Sequence, residues 1–399
     1  MGNKILKPTS KLLGFFIIFV IIFLNALGPY FKLQQVATFG LIPLLAVFAF
    51  TFDIKNFKEG KKEFKFLVTI LVLSITTIFY YKGFEQFSTN FFLLLGAVLS
   101  AYIVIGLTKD IDYSTYFHIG YIITILILFL IMILNGNIGI NFATELDFRD
   151  RFLLNANSYS YYCVFANFSL FYLYLKKPKK SFLIFLVVLP LIFTIIAFTT
   201  ESRAGLLLII LINIFFWFFV NKEQNKKIHK KIVRILFLIL LFIFISIKFI
   251  EIYEGSRISR RVVQTSQRQD PREVLFYEGI EVFTDNPILG VGLGQFPFYS
   301  KFKQFTHNSY AEILAEQGVI GAIFLFALYF IPTLKSYTNY RANSSNPLLR
   351  CNLLFFIVFL IYNNAYVFYK FPFSMMYFFL IISIQTNYMS QKSDSISIQ

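Results

Sequence analysis

The sequence predicts an all-α polytopic membrane protein of about twelve transmembrane helices, and three observations lead there. Hydrophobic residues make up 57% of the chain and charged residues only 15%, well under the roughly 25% charged content of a soluble domain. Apolar runs close to the ~20 residues needed to cross the hydrocarbon recur along the whole length. Lys and Arg, which give a net charge of +16, gather in short segments between those runs. That placement speaks for orientation in a bilayer and against nucleic-acid binding.

Taken in order, spans are expected near residues 12–28, 36–52, 64–81, 91–107, 117–134, 159–175, 181–198, 204–220, 232–250, 316–334, 351–369 and 372–388. Continuous apolar runs must satisfy their own backbone in lipid, so helices are the spanning element. The first run ends at Pro29 without an A-x-A cleavage site, which predicts a retained span rather than a signal peptide. Length would allow two or three soluble domains, but the recurrence of spans predicts one integral membrane domain over 1–399. Cys163 and Cys351 both fall inside apolar runs and suggest neither a disulfide framework nor a metal site.

With the N-terminus inside, the short inner segments carry 22 Lys and Arg and the short outer ones 6, which predicts both termini inside. Two outer segments are then longer than a turn: 135–158 and 251–306. The longer carries Arg257, Arg260, Arg261, Arg268, Arg272, Lys301 and Lys303. Loops of this length are uncommon unless functional. Within it, Asp270 as N-cap, Pro271 at the first helical position and Glu273 two residues later predict a helix start. Phe276, Ile280 and Phe283 share one side of that helix, as expected of a short interfacial helix on the membrane surface.

Several chemistries lack their motifs: the sequence has no HExxH, CxxC or P-loop. Asp110 and Asp112 form an Asp-x-Asp in an inner loop, read as solvated. The glycines of Gly290-Val-Gly292-Leu-Gly294 have no βαβ unit around them and suggest a tight turn or close backbone approach. His118 and His229 read as ordinary span-edge and loop residues. Arg203 sits at the outer end of a span, with Thr199 or Thr200 to cap the helix. It is either an interfacial anchor or, with the helix N-terminus, a grip for phosphate. In Thr306–Gly321, Ser309-x-x-Glu312 reads as a capping box, placing His307 and Asn308 just ahead of a helix. The positive end of the helix dipole would keep His307 neutral and able to accept a proton. Gly318 and Gly321 would let this helix pack closely on a neighbour.

These residues carry a resemblance. His307-Asn308, nine residues, then Gly318-Val319-Ile320-Gly321 is similar to the His-[Asn/Ser/Gln]-x9-Gly-x-x-[Gly/Thr/Val] pattern of bacterial O-antigen ligases, shared more loosely by O-antigen and exopolysaccharide polymerases. Pro287-Ile-Leu-Gly290-Val-Gly292 resembles the family's Pro-x-x-Gly-x-Gly stretch, and Ser202-Arg203-Ala-Gly205 its Ser-Arg-x-Gly element. All lie within residues 195–335.

The resemblance implies a metal-independent glycosyltransferase in the bacterial inner membrane, with its site on the periplasmic face and no cofactor. It would move a glycan from a polyprenyl diphosphate carrier to an acceptor hydroxyl on a lipid A core (ligase) or on a second lipid-linked glycan (polymerase). His307 would be the base and Asn308 would orient it or a sugar. Arg203 and Arg272, with Arg257 or Arg261, would bind the diphosphate, whose charge suits bidentate arginine. On the acceptor side stand Asn157 and, more weakly, Arg149, Arg151 and Asn155. A lipid-linked oligosaccharide flippase or a non-catalytic scaffold are the competing classes. Against a carrier, few ionisable residues fall within the expected spans.

Overall fold

The computed structural model describes residues 8–28, 31, 33, 36–44, 60–108, 111–136, 157–200, 202–221 and 271–396. The latter part of the second expected span, all of the ninth, Arg149, Arg151, Asn155, Arg257, Arg261 and Asp270 lie outside the described residues.

The described residues are helical and include no strand. In order they form α1 (Pro8–Leu27), α2 (Lys61–Ile75), α3 (Phe84–Leu107), α4 (Ile111–Leu134), α5 (Asn157–Lys176), α6 (Phe185–Thr199) and α7 (Arg203–Phe215). After the long segment come α8 (Pro271–Asp285), α9 (Ser309–Ala342), α10 (Pro347–Tyr362) and α11 (Pro372–Ile396). Among the described residues, five stretches are long and apolar enough to cross a membrane: Phe84–Leu107, Tyr113–Leu134, Lys180–Thr199, Arg203–Val220 and Ser309–Ala342. Gly14–Leu27, Pro347–Tyr362 and Pro372–Gln385 are shorter apolar helices.

Two compact units emerge. The first draws on Met1–Thr124, Pro271–Ala342 and Phe355–Gln399; the second on Ile125–Asp270 and Asn343–Leu354. Aromatic packing holds the first. Tyr121 of α4 meets Phe373 and Tyr377 edge-on at 4.6 and 4.8 Å, and its hydroxyl donates to the Phe373 carbonyl at 2.7 Å. Tyr329 of α9 meets Phe359 of α10 at 5.2 Å, and Phe359 meets Phe378 of α11 at 4.8 Å. Such pairs contribute about 0.5–1.5 kcal/mol each beyond area burial. In the second unit α5 is buried along almost its whole length, and Phe171 stacks on Phe216 at 3.9 Å. The buried Arg350 donates through Nε to the Val220 carbonyl at 2.9 Å, satisfying carbonyls at that helix end.

Segments that the charge count assigns to one side meet within the first unit. Lys335 pairs with Glu63 at 2.5 Å, both from inner segments. The amides of Lys82 and Gly83 donate to Gln295 Oε1 at 2.7 and 2.9 Å, both from outer segments.

Candidate functional site

The site is assembled where the glycine run reaches α9. That helix is interrupted at Gly318, whose φ of 61° and ψ of −160° are non-helical, leaving helical stretches over 309–317 and 319–342. The chain before it fills the gap. Val291 and Gly292 donate to the carbonyls of Ala315 and Glu316 at 2.9 and 2.8 Å, and Val319 donates to the Pro287 carbonyl at 2.8 Å. Backbone lies on backbone here. A Cβ on Gly290 would come within 2.4 Å of the Glu316 carbonyl carbon, and one on Gly318 within 2.3 Å of the Ile288 oxygen. Gly318 is therefore a helix break that receives the glycine run, rather than a simple helix-packing glycine as expected. Gly321 makes room for the Gln317 side chain, whose Nε2 donates to Ser74 Oγ of α2 at 2.7 Å.

His307 lies eleven residues ahead of this break, just before the helix starts, with φ at 56°. A histidine in the left-handed region is uncommon and costs on the order of 1–3 kcal/mol, so neighbours must hold it. They do. Asn308 Oδ1 accepts from the amides of Tyr310 and Ala311 at 2.9 and 3.1 Å, which makes Asn308 the N-cap. The expected Ser309–Glu312 capping box does not form. The Ser309 amide donates instead to the Asn363 carbonyl at 2.8 Å, and its hydroxyl accepts from Phe368 N–H at 3.1 Å. Glu312 reaches back past the cap: its Oε2 accepts from Thr306 N–H at 2.9 Å and lies 2.8 Å from the Thr306 hydroxyl.

Beneath the turn is a buried ionic cluster. Lys370, in the α10–α11 connection, reaches Glu312 Oε1 at 2.9 Å and Glu316 Oε2 at 2.6 Å, with every partner at most 3% exposed. Glu316 Oε1 accepts from Gly294 N–H at 2.9 Å. Burial opposes the charge on Lys370, but the two carboxylates outweigh it and raise its pKa above the ordinary lysine value.

Helix α8 covers the turn. At Gly279 the approach is close: a Cβ there would lie 3.1 Å from Thr306 Cγ2 and 3.4 Å from Ala311 Cβ. Pro271 begins this helix as expected; Leu275, Glu278, Gly279 and Val282 are its buried face, while Phe276, Ile280 and Phe283 stay at least partly exposed. Contact with α9 buries the side of α8 that contains the glycine. Arg272, exposed on the first turn, is close enough to His307 to act on it. The pKa of His307 is lowered first by burial and then by the Arg272 charge, while Glu312 pulls the other way. Its neutral form is thus favoured as expected, although burial and Arg272, rather than the helix dipole, are the causes found.

The other two described candidates belong to the second unit. Arg203 opens α7 and is exposed. Its cap is Ser202, which accepts from Gly205 N–H at 3.3 Å. Thr199 and Thr200, the expected caps, bond back to the carbonyls of Ile195 and Ala197 in α6. A Cβ on Gly205 would come within 2.3 Å of Ser160 Oγ on α5, which explains the glycine of the Ser-Arg-x-Gly element. Asn157 is buried at the start of α5, one turn from that contact.

Residues 185–326 match the O-antigen ligase family model. This region belongs to that family. The match includes Arg203, Arg272, the glycine run, His307 and Gly318, so the resemblance drawn from three motifs is borne out. A search of curated proteins finds no match. The O-antigen ligase region and its apolar helices together identify a membrane protein with an O-antigen ligase or polymerase type of function.

Sequence reasoning missed Glu312 as an anchor, and Glu316 and Lys370 altogether. A signal was present: Glu312 and Glu316, four apart on a helix entering a membrane span, are expensive there without a cation. Which lysine supplies it depends on a contact across 54 residues, and no local pattern marks Lys370. Glu278 was also passed over; it is buried, and neither carboxylate oxygen has a hydrogen-bond partner among the described residues.

Proposed function

We propose that this protein is a membrane glycosyltransferase of the O-antigen ligase type. It transfers a glycan from a polyprenyl diphosphate carrier to an acceptor hydroxyl on the outer face of the inner membrane, with a lipid A core as acceptor. The observation that carries this is the His307 turn: a partly buried imidazole in strained backbone, its pKa lowered by burial and by the charge of the exposed Arg272. His307 takes the proton from the acceptor hydroxyl as oxygen attacks the anomeric carbon. The bond to the diphosphate breaks, and Arg272 stabilises the charge that gathers on the leaving group. Arg203, at a helix N-terminus where anions are favoured, is assigned to diphosphate binding on the strength of its family element. Arg257 and Arg261 stay as further diphosphate candidates on the long loop. Asn308 serves the base by capping α9, and Asn157 is assigned to the acceptor side.

The test uses purified protein, the lipid-linked glycan pool from a deletion strain, and candidate acceptors. His307→Ala should lower transfer roughly 10²–10⁴-fold; transfer at the wild-type rate would end the base assignment. Normal donor binding by Arg203→Ala would end its diphosphate role. No step calls on a metal, so excess EDTA should leave the rate unchanged. The same chemistry serves a polymerase that joins lipid-linked repeats. Deletion separates the two: loss of a ligase leaves long chains on the carrier, and loss of a polymerase leaves single repeats.

A further inference from the structure

Lys370 lies beyond the matched family region, yet it meets the two carboxylates that hold the family's motifs in place. The two are not equivalent. Glu316 ties its second oxygen to Gly294 N–H, at the end of the glycine run. Glu312 ties its second oxygen to the N–H and hydroxyl of Thr306, the residue before His307. The Thr306 hydroxyl in turn accepts from Asn308 N–H at 3.1 Å and lies 2.8 Å from the Asn308 carbonyl, so both flanks of His307 are fixed through one side chain. A single carboxylate therefore spans the strained turn, and a buried ammonium holds that carboxylate on its other oxygen.

We propose that Glu312, held by Lys370, is a positioning residue for His307: it fixes the backbone turn that aims the imidazole, and does not touch the substrate. This rests on His307 being the base. Glutamine at 312 keeps the size of the side chain but offers one carbonyl oxygen, which cannot serve both Lys370 and Thr306. Glutamine at 316 makes the same change one turn away in the same cluster and leaves the Lys370–Glu312–Thr306 chain intact. A role confined to stability would make the two substitutions alike.

The experiment compares purified Glu312→Gln and Glu316→Gln in transfer from the lipid-linked glycan pool of a deletion strain. Glu312→Gln should lose kcat roughly 10- to 100-fold, the scale of a misplaced catalytic group, with KM for the donor within about threefold of wild type. Glu316→Gln should lose at most a few-fold. Equal losses in kcat, or a Glu312→Gln defect confined to KM, would overturn the proposal. Should Glu312→Gln fail to fold, Thr306→Val carries the test, because it removes the hydroxyl link and keeps the shape. A kcat loss of about fivefold or more at unchanged KM supports the proposal, and wild-type kcat overturns it. His307→Ala is run alongside. If that variant is fully active, the base assignment falls, whatever the glutamate variants do; if it is inactive and the glutamate variants are alike, only the positioning role falls.

Discussion

Helices α7 and α9 both begin with a family motif, and they begin in opposite ways. At α7 the start is local: Ser202 caps, Arg203 follows and is exposed, and Gly205 packs on the neighbouring α5. At α9 the start is remote. Asn308 caps, but the residue before it is strained, and the turn is held by Glu312, Lys370 and Asn363. An exposed cation at a helix N-terminus gains nothing from the dipole, whose positive end opposes it, but solvent screens that repulsion and no buried partner is needed. A base kept neutral and aimed needs burial, and each polar group buried with it needs a partner.

The largest effect expected from breaking this contrast is at His307 itself. His307→Ala should remove transfer roughly 10²–10⁴-fold while the unfolding midpoint in detergent stays near wild type, since the alanine retains every backbone bond of the turn. Next is Gly318→Ala, which puts a Cβ 2.3 Å from the Ile288 oxygen at a positive φ. It should destabilise the protein by about 2–3 kcal/mol, read as a lowered midpoint, and should lower activity with it. Arg272→Gln sharpens the electrostatic side. The pKa of His307 is held down by burial and by Arg272, against Glu312, so removing the arginine raises it. A base works deprotonated, so activity falls as pH falls through that pKa; the acid limb of kcat/KM should move to higher pH in Arg272→Gln. A limb that stays in place would separate Arg272 from His307. The smallest effect is at Ser202→Ala, which should cost about 1 kcal/mol as a lost cap and leave the acid limb where it is.

The two starts also differ in how far they could be read in advance. Ser-Arg-x-Gly predicted a helix opening at Arg203, and one opens there; only the cap moved, from the threonines to Ser202. At α9 the helix and the histidine ahead of it were legible, but the capping box was not the structure adopted. Glu312 had a stronger use, because Lys370 is available only in the folded chain and a buried carboxylate gains more from an ammonium than from a backbone amide. Likewise the glycine spacing marked a close approach without saying to what. Its partner is the break in α9, so the Pro-x-x-Gly-x-Gly and Gly-x-x-Gly elements are two halves of one backbone contact.

By itself, the sequence determined the helical membrane class, because apolar runs have one way to satisfy their backbone in lipid, and it determined the family, because three motifs stand in order. It also pointed to His307 and Arg203 through their motifs, and to Arg272 through the family resemblance, as candidates for the site. Tertiary structure alone decided which face of α8 is buried, why His307 is neutral, and what holds its turn. Each of those depends on a charge or a backbone group brought in from far along the chain, and burial makes that one contact count for more than the local pattern.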